Sequence, residues 1–254
     1  MTADGTAVTA GDGQKAPDPA ELAAAGARLQ QLLFGAYVVQ MISAVCSLRI
    51  PDLLAEGPRD CGELAAATGA HESALYRVMR ALTDHGIFAE DSDGRFGLTV
   101  MGSLLQEGRR GSQRASALMK GSPPEWAALG VFLEAVRDGA PAFRHAAGTD
   151  IFPYMAAHPA AAAVFDTMMT GLTSVKGPVI LSAYDMSWAR TVVDVGGGQG
   201  TFIAQVLARY PSMRGILFDL PAAIETADEF LKAAGVADRC SLAGGDFLDR
   251  KSVV

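Results

Sequence analysis

Four glycines between two apolar segments are the residues of this sequence whose spacing points most directly to chemistry. The stretch from Val192 to Pro211 reads VVDVGGGQGTFIAQVLARYP, and its four glycines fall within five residues. The β-branched run Thr191 to Val195 predicts a strand, and apolar residues at helical spacing from Phe202 to Tyr210 predict a helix after the loop. Such a loop lets the backbone approach a ligand closely, beside the unpaired N–H groups of a helix N-terminus.

The spacing of these glycines discriminates between nucleotide ligands. A dinucleotide site uses G-x-G-x-x-G/A, in which the last small residue allows close helix packing at the pyrophosphate. Here Gly196, Gly198 and Gly200 form G-x-G-x-G, and Thr201 stands where the third glycine would be. A nicotinamide-dependent oxidoreductase is therefore the weaker alternative. No phosphate-binding lysine follows the glycines, which excludes a P-loop.

Acidic residues at the ends of the next two predicted strands extend this site. The strand Gly215 to Phe218 ends in Asp219, a carboxylate placed to accept hydrogen bonds from both hydroxyls of a ribose. A helix follows from about residue 221 to residue 234. A third strand, Cys240 to Ala243, leads into Asp246 and Phe247, which could accept from an adenine amine and stack on its ring. Together these residues predict an adenosine site without a pyrophosphate clamp.

The segments that precede this site are predicted to be mainly helical. Asp18 is a candidate N-cap, followed by proline at the first helical position. Apolar residues from Leu22 to Val45 predict two helical stretches, interrupted near Gly35 and ended before Pro51. Their apolar surface indicates either a helical dimer interface or burial under the rest of the same chain.

Residues 60 to 98 have the pattern of a winged helix. Asp60 to Glu63 is a capping pattern for a short helix, and Leu75, Val78, Met79 and Leu82 give the apolar face of a second helix. Two short segments around a turn at residues 91–94 predict a hairpin. Residues 71–100 carry three arginines against five carboxylates. This acidic balance argues against DNA contact and favours packing or dimerisation.

Composition limits the partners and the compartment. The 254 residues are 50% hydrophobic and carry a formal net charge of −7, which argues against nucleic acid and anionic membranes as partners. Cys46, Cys61 and Cys240 are too far apart to indicate a disulfide framework or a zinc site, so a reducing cytoplasm is expected. The sequence has no signal-peptide pattern. Its longest weakly polar run, Gly35 to Leu48, is too short to span a bilayer.

At this point the chain resembles a known family, the S-adenosylmethionine-dependent O-methyltransferases of plant phenolic and bacterial polyketide and antibiotic pathways. The resemblance covers about Leu29 to Leu248. It rests on the winged helix and on four motifs, namely Phe165-x-x-x-Met169, D-x-G-G-G-x-G from Asp194 to Gly200, Phe218-Asp219-Leu220-Pro221 and Gly245-Asp246-Phe247.

The resemblance implies roles for particular residues. Gly196 and Gly198 would pass the methionine part of S-adenosylmethionine, Asp219 would hold the ribose, and Asp246 with Phe247 would flank the adenine. The candidate substrate pocket contains Trp126, Phe165 and Met168, in a region whose aromatic and sulfur side chains fit either a wall for a flat ligand or ordinary core packing.

The implied reaction is methyl transfer to a hydroxyl of a small aromatic secondary metabolite, in a homodimer and without a metal. The catalytic histidine of the family follows Asp246 in a segment that this sequence does not contain. His71, His85, His145 and His158 all precede the glycine loop, so no catalytic residue is predicted. The sequence therefore favours a C-terminally truncated methyltransferase chain of uncertain activity. The alternative is a non-catalytic partner that retains the winged-helix interface.

The expected fold class is a mainly α winged-helix dimerisation domain followed by the first half of an α/β Rossmann-like methyltransferase domain. Four segments are predicted: a disordered tail at 1–17, the winged-helix domain at 18–105, a helical connecting and substrate-pocket region at 106–190, and a partial cofactor-binding domain at 191–254. The first strand of that partial domain, Thr191 to Val195, has the composition of a buried parallel strand. With the truncation it becomes an exposed edge.

Overall fold

A computed structural model of the chain describes residues 18–247. The predicted disordered tail at 1–17 lies outside the described residues, as do residues 248–254. The chain divides by compactness into two units, Met1–Val38 and Val39–Val254. The first helix, α1, spans Pro19–Ser47. The carboxylate of Asp18 accepts the N–H of Ala20 at 3.0 Å, as expected for the predicted N-cap.

Helix α1 is uninterrupted, so the predicted break near Gly35 is wrong. A glycine in a helix lowers stability by about 1 kcal/mol relative to alanine, but it keeps the N–H that the helix needs. The first unit has exposed apolar side chains along α1, namely Leu22, Leu29, Leu32, Leu33, Phe34 and Tyr37. By length and composition alone, α1 could also cross a membrane. The prediction that no apolar segment is long enough to span a bilayer therefore does not hold for α1.

The second unit continues with the two helices and the hairpin predicted for a winged helix. Its elements are α2 at Ile50–Leu53, α3 at Cys61–Thr68, α4 at Glu72–Asp84, β1 at Phe88–Glu90 and β2 at Phe96–Leu98. Strands β1 and β2 pair antiparallel. Asp60 and Glu63 form the predicted capping box at the start of α3. Leu75, Met79 and Leu82 of α4 are buried, which confirms the predicted apolar face.

A helical region connects the hairpin to the sheet. Its helices are α5 at Val100–Ser103, α6 at Arg114–Lys120, α7 at Pro123–Gly130, α8 at Phe132–Asp138, α9 at Ala142–Ala147, α10 at Ile151–Ala157 and α11 at Pro159–Ala183. The long helix α11 packs against α6. It is also the last helix before the sheet in the chain.

The last described part is a short α/β unit. It contains β3 at Thr191–Val195, α12 at Thr201–Arg209, β4 at Arg214–Asp219, α13 at Ala227–Ala233 and β5 at Cys240–Gly244. The three strands are parallel in the order β3-β4-β5. The predicted fold class, a helical N-terminal part followed by a partial α/β domain, is confirmed. The core of this unit contains Ile203, Val206, Leu207, Met213, Leu217 and Leu231.

One local prediction in this unit is wrong. The helix expected from residue 221 begins only at Ala227, since the preceding residues form turns. Those turns bring the side chains of Pro221 and Ile224 to the position that a Cβ on Gly244 would occupy, at 3.3 and 3.7 Å. Strand β3 alternates exposed and half-buried residues, and among the described residues it pairs only with β4. This is the exposed edge position that the sequence predicted for this strand.

Candidate functional site

The glycine loop between β3 and α12 presents bare backbone. Gly196, Gly198 and Gly200 have φ angles of +72°, +56° and +87°, in the left-handed region that favours glycine. A Cβ added to Gly196 or Gly198 would meet no atom within 4 Å. The loop is therefore open on the side where these two residues face, and a ligand could approach its backbone there.

The inner side of the loop is closely packed. A Cβ on Gly197 would lie 2.7 Å from Cγ of Asp194 and would collide with Leu217 Cδ1. Oδ2 of Asp194 accepts the N–H of Ile203 at 3.2 Å, so this carboxylate caps the first turn of α12. Gly200, the residue at the N-cap position, has no side chain for this purpose. Burial raises the pKa of Asp194, the hydrogen bond from Ile203 lowers it, and the negative charge of Asp219 raises it further.

Asp219 is fixed at the end of β4 by two backbone groups. Its Oδ2 accepts the N–H of Gly198 at 2.7 Å, and its Oδ1 accepts the N–H of Leu220 at 2.7 Å. The N–H of Gly196 also donates to the carbonyl oxygen of Phe218 at 2.8 Å. Each carboxylate oxygen can accept a further hydrogen bond. The structure thus joins the glycine loop to the acid that the sequence predicted for the ribose.

The residues predicted to flank adenine follow β5. The N–H of Gly245 donates to the carbonyl oxygen of Asp219 at 3.0 Å, which brings this segment beside the end of β4. Asp246 and Phe247 are both exposed. They lie at the same carboxyl edge of the sheet as the glycine loop, as parallel pairing of neighbouring strands requires. Their contact with an adenine stays a prediction.

The predicted substrate residues lie on two helices. Trp126 is on α7 and is exposed, whereas Phe165 and Met168 are half-buried on α11. The ring of Phe165 meets the ring of Phe152 edge to face, with centroids 6.4 Å apart. Among residues 18–247, the ring contacts do not join Trp126 to Phe165. Phe152, in α10, is therefore a further aromatic residue of this region.

Asp166 is a residue that the sequence reasoning did not select. It is the one acidic residue of α11, a helix composed mostly of small and apolar residues. Partial desolvation raises the pKa of Asp166, and the negative charge of Asp219 raises it further. The charge of Asp219 thus acts on a residue that is 53 positions away in the sequence. An isolated charge in an apolar helical stretch was the available signal.

The four histidines lie in or at the ends of helices that precede the sheet in the chain. His71 and His85 flank α4. The imidazole Nε2 of His145 is 3.1 Å from a carboxylate oxygen of Asp138, and the ring of His158 stacks on Tyr154 with centroids 3.9 Å apart. Their assignment as structural or solvent-exposed residues stays a prediction, as does the lack of a catalytic residue.

Two protein-family models match the chain. Residues 30–108 match an O-methyltransferase dimerisation domain, and residues 126–252 match an O-methyltransferase domain. The second match begins before the sheet and includes α11. The part of the helical region from residue 126 onward and the glycine loop therefore belong to one family domain.

Individual relatives agree with these matches. Phenazine O-methyltransferase PhzM of Lysobacter antibioticus is 39% identical over 86% of this chain and 64% of its own length. A mitomycin biosynthesis 6-O-methyltransferase of Streptomyces lavendulae is 35% identical over 92% of this chain and 67% of its own length. The crystal structure of an O-methyltransferase from neocarzinostatin biosynthesis, NcsB1, in complex with S-adenosylmethionine and a hydroxylated naphthoic acid, aligns with a TM-score of 0.71. Its identity is 28%, over 83% of this chain and 65% of that one.

The chain spans about two thirds of the length of these relatives. In this chain the match to the dimerisation domain comes first and the match to the methyltransferase domain second. The chain belongs to the S-adenosylmethionine-dependent O-methyltransferase family that carries an N-terminal dimerisation domain, of the type found in bacterial secondary metabolism.

Proposed function

We propose that this chain binds S-adenosylmethionine at the carboxyl edge of the β3-β4-β5 sheet. The observation that carries the proposal is the hydrogen bond from Gly198 N–H to Asp219, because it fixes a carboxylate beside an open, side-chain-free loop. A ribose needs an acceptor for its two hydroxyls, and a bare backbone leaves room for the attached amino acid. Asp219 and the open loop therefore fit an adenosine ligand that has no pyrophosphate.

Different residues of the chain would contact different parts of the cofactor. Asp219 would accept from the ribose hydroxyls, the loop at Gly196 and Gly198 would border the methionine part, and Asp246 with Phe247 would flank the adenine. When bound, the cofactor supplies an electrophilic methyl group. Asp194 would act indirectly, since it holds the first turn of α12 and with it the shape of the loop.

The reaction that we propose is methyl transfer to a hydroxyl of a small aromatic substrate. Relatives named for phenazine and mitomycin methylation support this substrate class, as does the naphthoic acid complex of NcsB1. Phe165 and Met168 on α11, with Trp126 on α7, would form the apolar walls. Holding the oxygen in line with the methyl group is the main task of such a pocket.

The organisation that we propose keeps the boundaries predicted from the sequence. A winged-helix domain at 18–105 would form a homodimer, a helical region at 106–190 would hold the substrate, and residues 191–254 would be part of the cofactor-binding domain. The protein would act in the cytoplasm. The second candidate function is that of a non-catalytic partner, which the exposed apolar side chains of α1 favour because they offer a surface for association.

Calorimetry on the purified chain tests the proposed ligand. We expect binding of S-adenosylmethionine and S-adenosylhomocysteine and no binding of NAD. Asp219→Ala should weaken both by about 2 kcal/mol, roughly 30-fold, the usual scale for losing a hydrogen bond to a charged group. Asp93→Ala, in the β1–β2 turn, is the control and should bind as the wild type does. A chain that self-associates but binds neither adenosyl ligand would favour the non-catalytic candidate.

A further inference from the structure

A cavity of about 410 Å³ lies between α11, α6 and the loop at residues 107–112. Its lining includes apolar side chains and guanidinium groups, namely Ala115, Leu118, Val164, Arg109, Arg110 and Arg114. Small-molecule sites commonly have this size, and they combine an apolar wall with a few charged or polar groups. The cavity therefore has the dimensions and the composition of a ligand site.

The loop arginines give the cavity positive charge that the chain does not neutralise. The ion pairs within residues 18–247 include neither Arg109 nor Arg110, and Arg109 donates only to the neutral side-chain oxygen of Gln106, at 3.2 Å. Glu107, the acid in the lining, is paired with Arg49 at 2.6 Å. Two guanidinium groups thus remain uncompensated, in a chain whose net charge is −7.

Arg114 is the inner arginine of the cavity, since its side chain is only 18% exposed. Its Nη2 donates to the carbonyl oxygen of Cys46 at 3.1 Å, and its Nη1 lies 3.8 Å from Glu107. Its Nε is buried 4.0 Å from Oδ2 of Asp52, too far for a hydrogen bond, and neither atom has another partner in the described part of the chain. Arg114 is therefore held in place and keeps a donor that the chain does not use.

The cavity lies on one face of α11. The residues of this helix that line it recur every three or four positions, as Ala163, Thr167, Gly171 and Ser174. A residue two positions along a helix is rotated by about 200°, so Phe165 projects from the other side of α11. A ligand in the cavity would contact α11 without reaching the aromatic ring assigned to the proposed substrate pocket.

We propose that this cavity binds a small organic anion, with its apolar body between α6 and α11 and its phosphate or carboxylate group on Arg109 and Arg110. A guanidinium group binds either anion through two parallel hydrogen bonds, because its planar array of donors matches their oxygens. The uncompensated charge selects an anion over a neutral molecule of the same shape. This site is additional to the proposed cofactor site and does not depend on it.

Four small probes test the ligand class by calorimetry at low ionic strength, where exposed charges are least screened. We expect phenyl phosphate and benzoate to bind, and the tighter of the two identifies the preferred anionic group. Benzamide has nearly the shape of benzoate but no charge, and should not bind. Inorganic phosphate should bind more weakly than phenyl phosphate, because it has no apolar body to place between the helices.

Substitutions locate the binding. Arg109→Gln together with Arg110→Gln should weaken phenyl phosphate about tenfold. Both side chains are exposed, so the fold should be retained, as urea unfolding can verify. Arg77→Gln with Arg137→Gln removes the same charge from exposed positions on α4 and α8 and should bind as the wild type does. Phe165→Ala should also bind as the wild type does.

The proposal is overturned if the wild type binds neither phenyl phosphate nor benzoate, or if the variant without the two loop arginines binds them as tightly as the wild type. Equal binding of benzamide and benzoate, or of inorganic phosphate and phenyl phosphate, would also overturn it. Weaker binding by Phe165→Ala would place the probe at the other face of α11, with the same consequence. None of the probes contains adenosine, so a chain that binds no adenosyl ligand would refute the proposed function and leave this site standing.

Discussion

At the scale of single residues, Gly197 is a glycine of the loop whose position has no room for a side chain. The other three glycines have positive φ angles, but Gly197 is confined by Asp194 Cγ at 2.7 Å and by the side chain of Leu217. Its neighbours on both sides, Gly196 and Gly198, face open space. The loop therefore needs glycine for two separate reasons, backbone conformation and close packing.

Gly197→Ala should lower the free energy of unfolding by about 2 kcal/mol, because the added methyl group must displace a packed side chain or the helix cap. Urea unfolding followed by circular dichroism measures the change. The matched control is Gly130→Ala in α7, where a Cβ would meet no atom within 4 Å. That variant should be as stable as the wild type or slightly more so. Equal stability of Gly197→Ala and the wild type would mean that the loop is not packed as described.

Asp194 makes stability depend on pH with a sign opposite to that of most surface acids. Its folded-state pKa is raised above the ordinary value of 3.8, first of all by burial. The folded state therefore binds the proton more tightly than the unfolded state, and acidification through the raised pKa towards 3.8 stabilises the fold at this site. Above the raised pKa this contribution is constant.

Comparison with Asp194→Asn isolates this contribution. The stability of the wild type relative to the variant should increase as the pH falls from 7 to 4, measured by urea unfolding at each pH. Asp138→Asn provides the contrast, because a backbone hydrogen bond from Ala140 holds the pKa of Asp138 below 3.8. The free energy of unfolding of the wild type relative to Asp138→Asn should therefore decrease on acidification below about pH 4. A wild-type advantage over Asp194→Asn that does not change with pH would contradict the burial of this carboxylate.

At the scale of elements, the capping box of α3 is a local device that the sequence predicted in full. Asp60 Oδ1 accepts the N–H of Glu63 at 2.8 Å, and Glu63 Oε2 accepts the N–H of Asp60 at 3.1 Å. Both hydrogen bonds join residues three positions apart. Their formation therefore depends little on the rest of the fold.

Asp60→Ala should lower the free energy of unfolding by about 1 kcal/mol, the usual loss for an N-cap acid. The change is measured by urea unfolding. Glu56→Ala is the control, because the Glu56 side chain is 85% exposed in its ion pair with Arg59 and such pairs contribute little. If both variants lose the same free energy, the cap is not the source of the effect.

At the scale of the whole molecule, self-association is the property that the exposed residues of α1 point to. Leu29 and Leu33 lie one turn apart on this helix, and both are more than half exposed. Residues 30–108 match the dimerisation domain of the family. Exposed apolar surface of this kind is usually covered by a partner.

Leu29→Lys together with Leu33→Lys should shift the proposed dimer to monomer, because burying two ammonium groups in an apolar interface is unfavourable. Size-exclusion chromatography with light scattering on the wild type and the variant measures this. Gln30→Lys with Gln31→Lys adds the same charge to the same turn of α1 and should leave the dimer intact. If the chain with Leu29→Lys and Leu33→Lys has the same molar mass in solution as the wild type, this face of α1 is not the interface.

The sequence by itself determined the parts of this protein that depend on neighbouring residues. The capping box, the winged-helix pattern, the glycine loop and the acids at the strand ends all follow from local spacing, because turns, caps and strand ends are set within a few residues. The same locality explains two errors. The prediction of a helix break at Gly35 is wrong because the backbone N–H of glycine is intact. The predicted helix after β4 begins too early because residues 221–226 form turns, with Pro221 and Ile224 next to Gly244.

Only the tertiary structure decided how distant parts meet. The hydrogen bond from Gly198 to Asp219 and the confinement of Gly197 by Leu217 join residues 21 and 20 positions apart. Residue types and spacing do not show which side chains from distant segments pack against a loop. Those relations are set by packing of the whole chain, and here they bring Asp219 and Leu217 against the glycine loop.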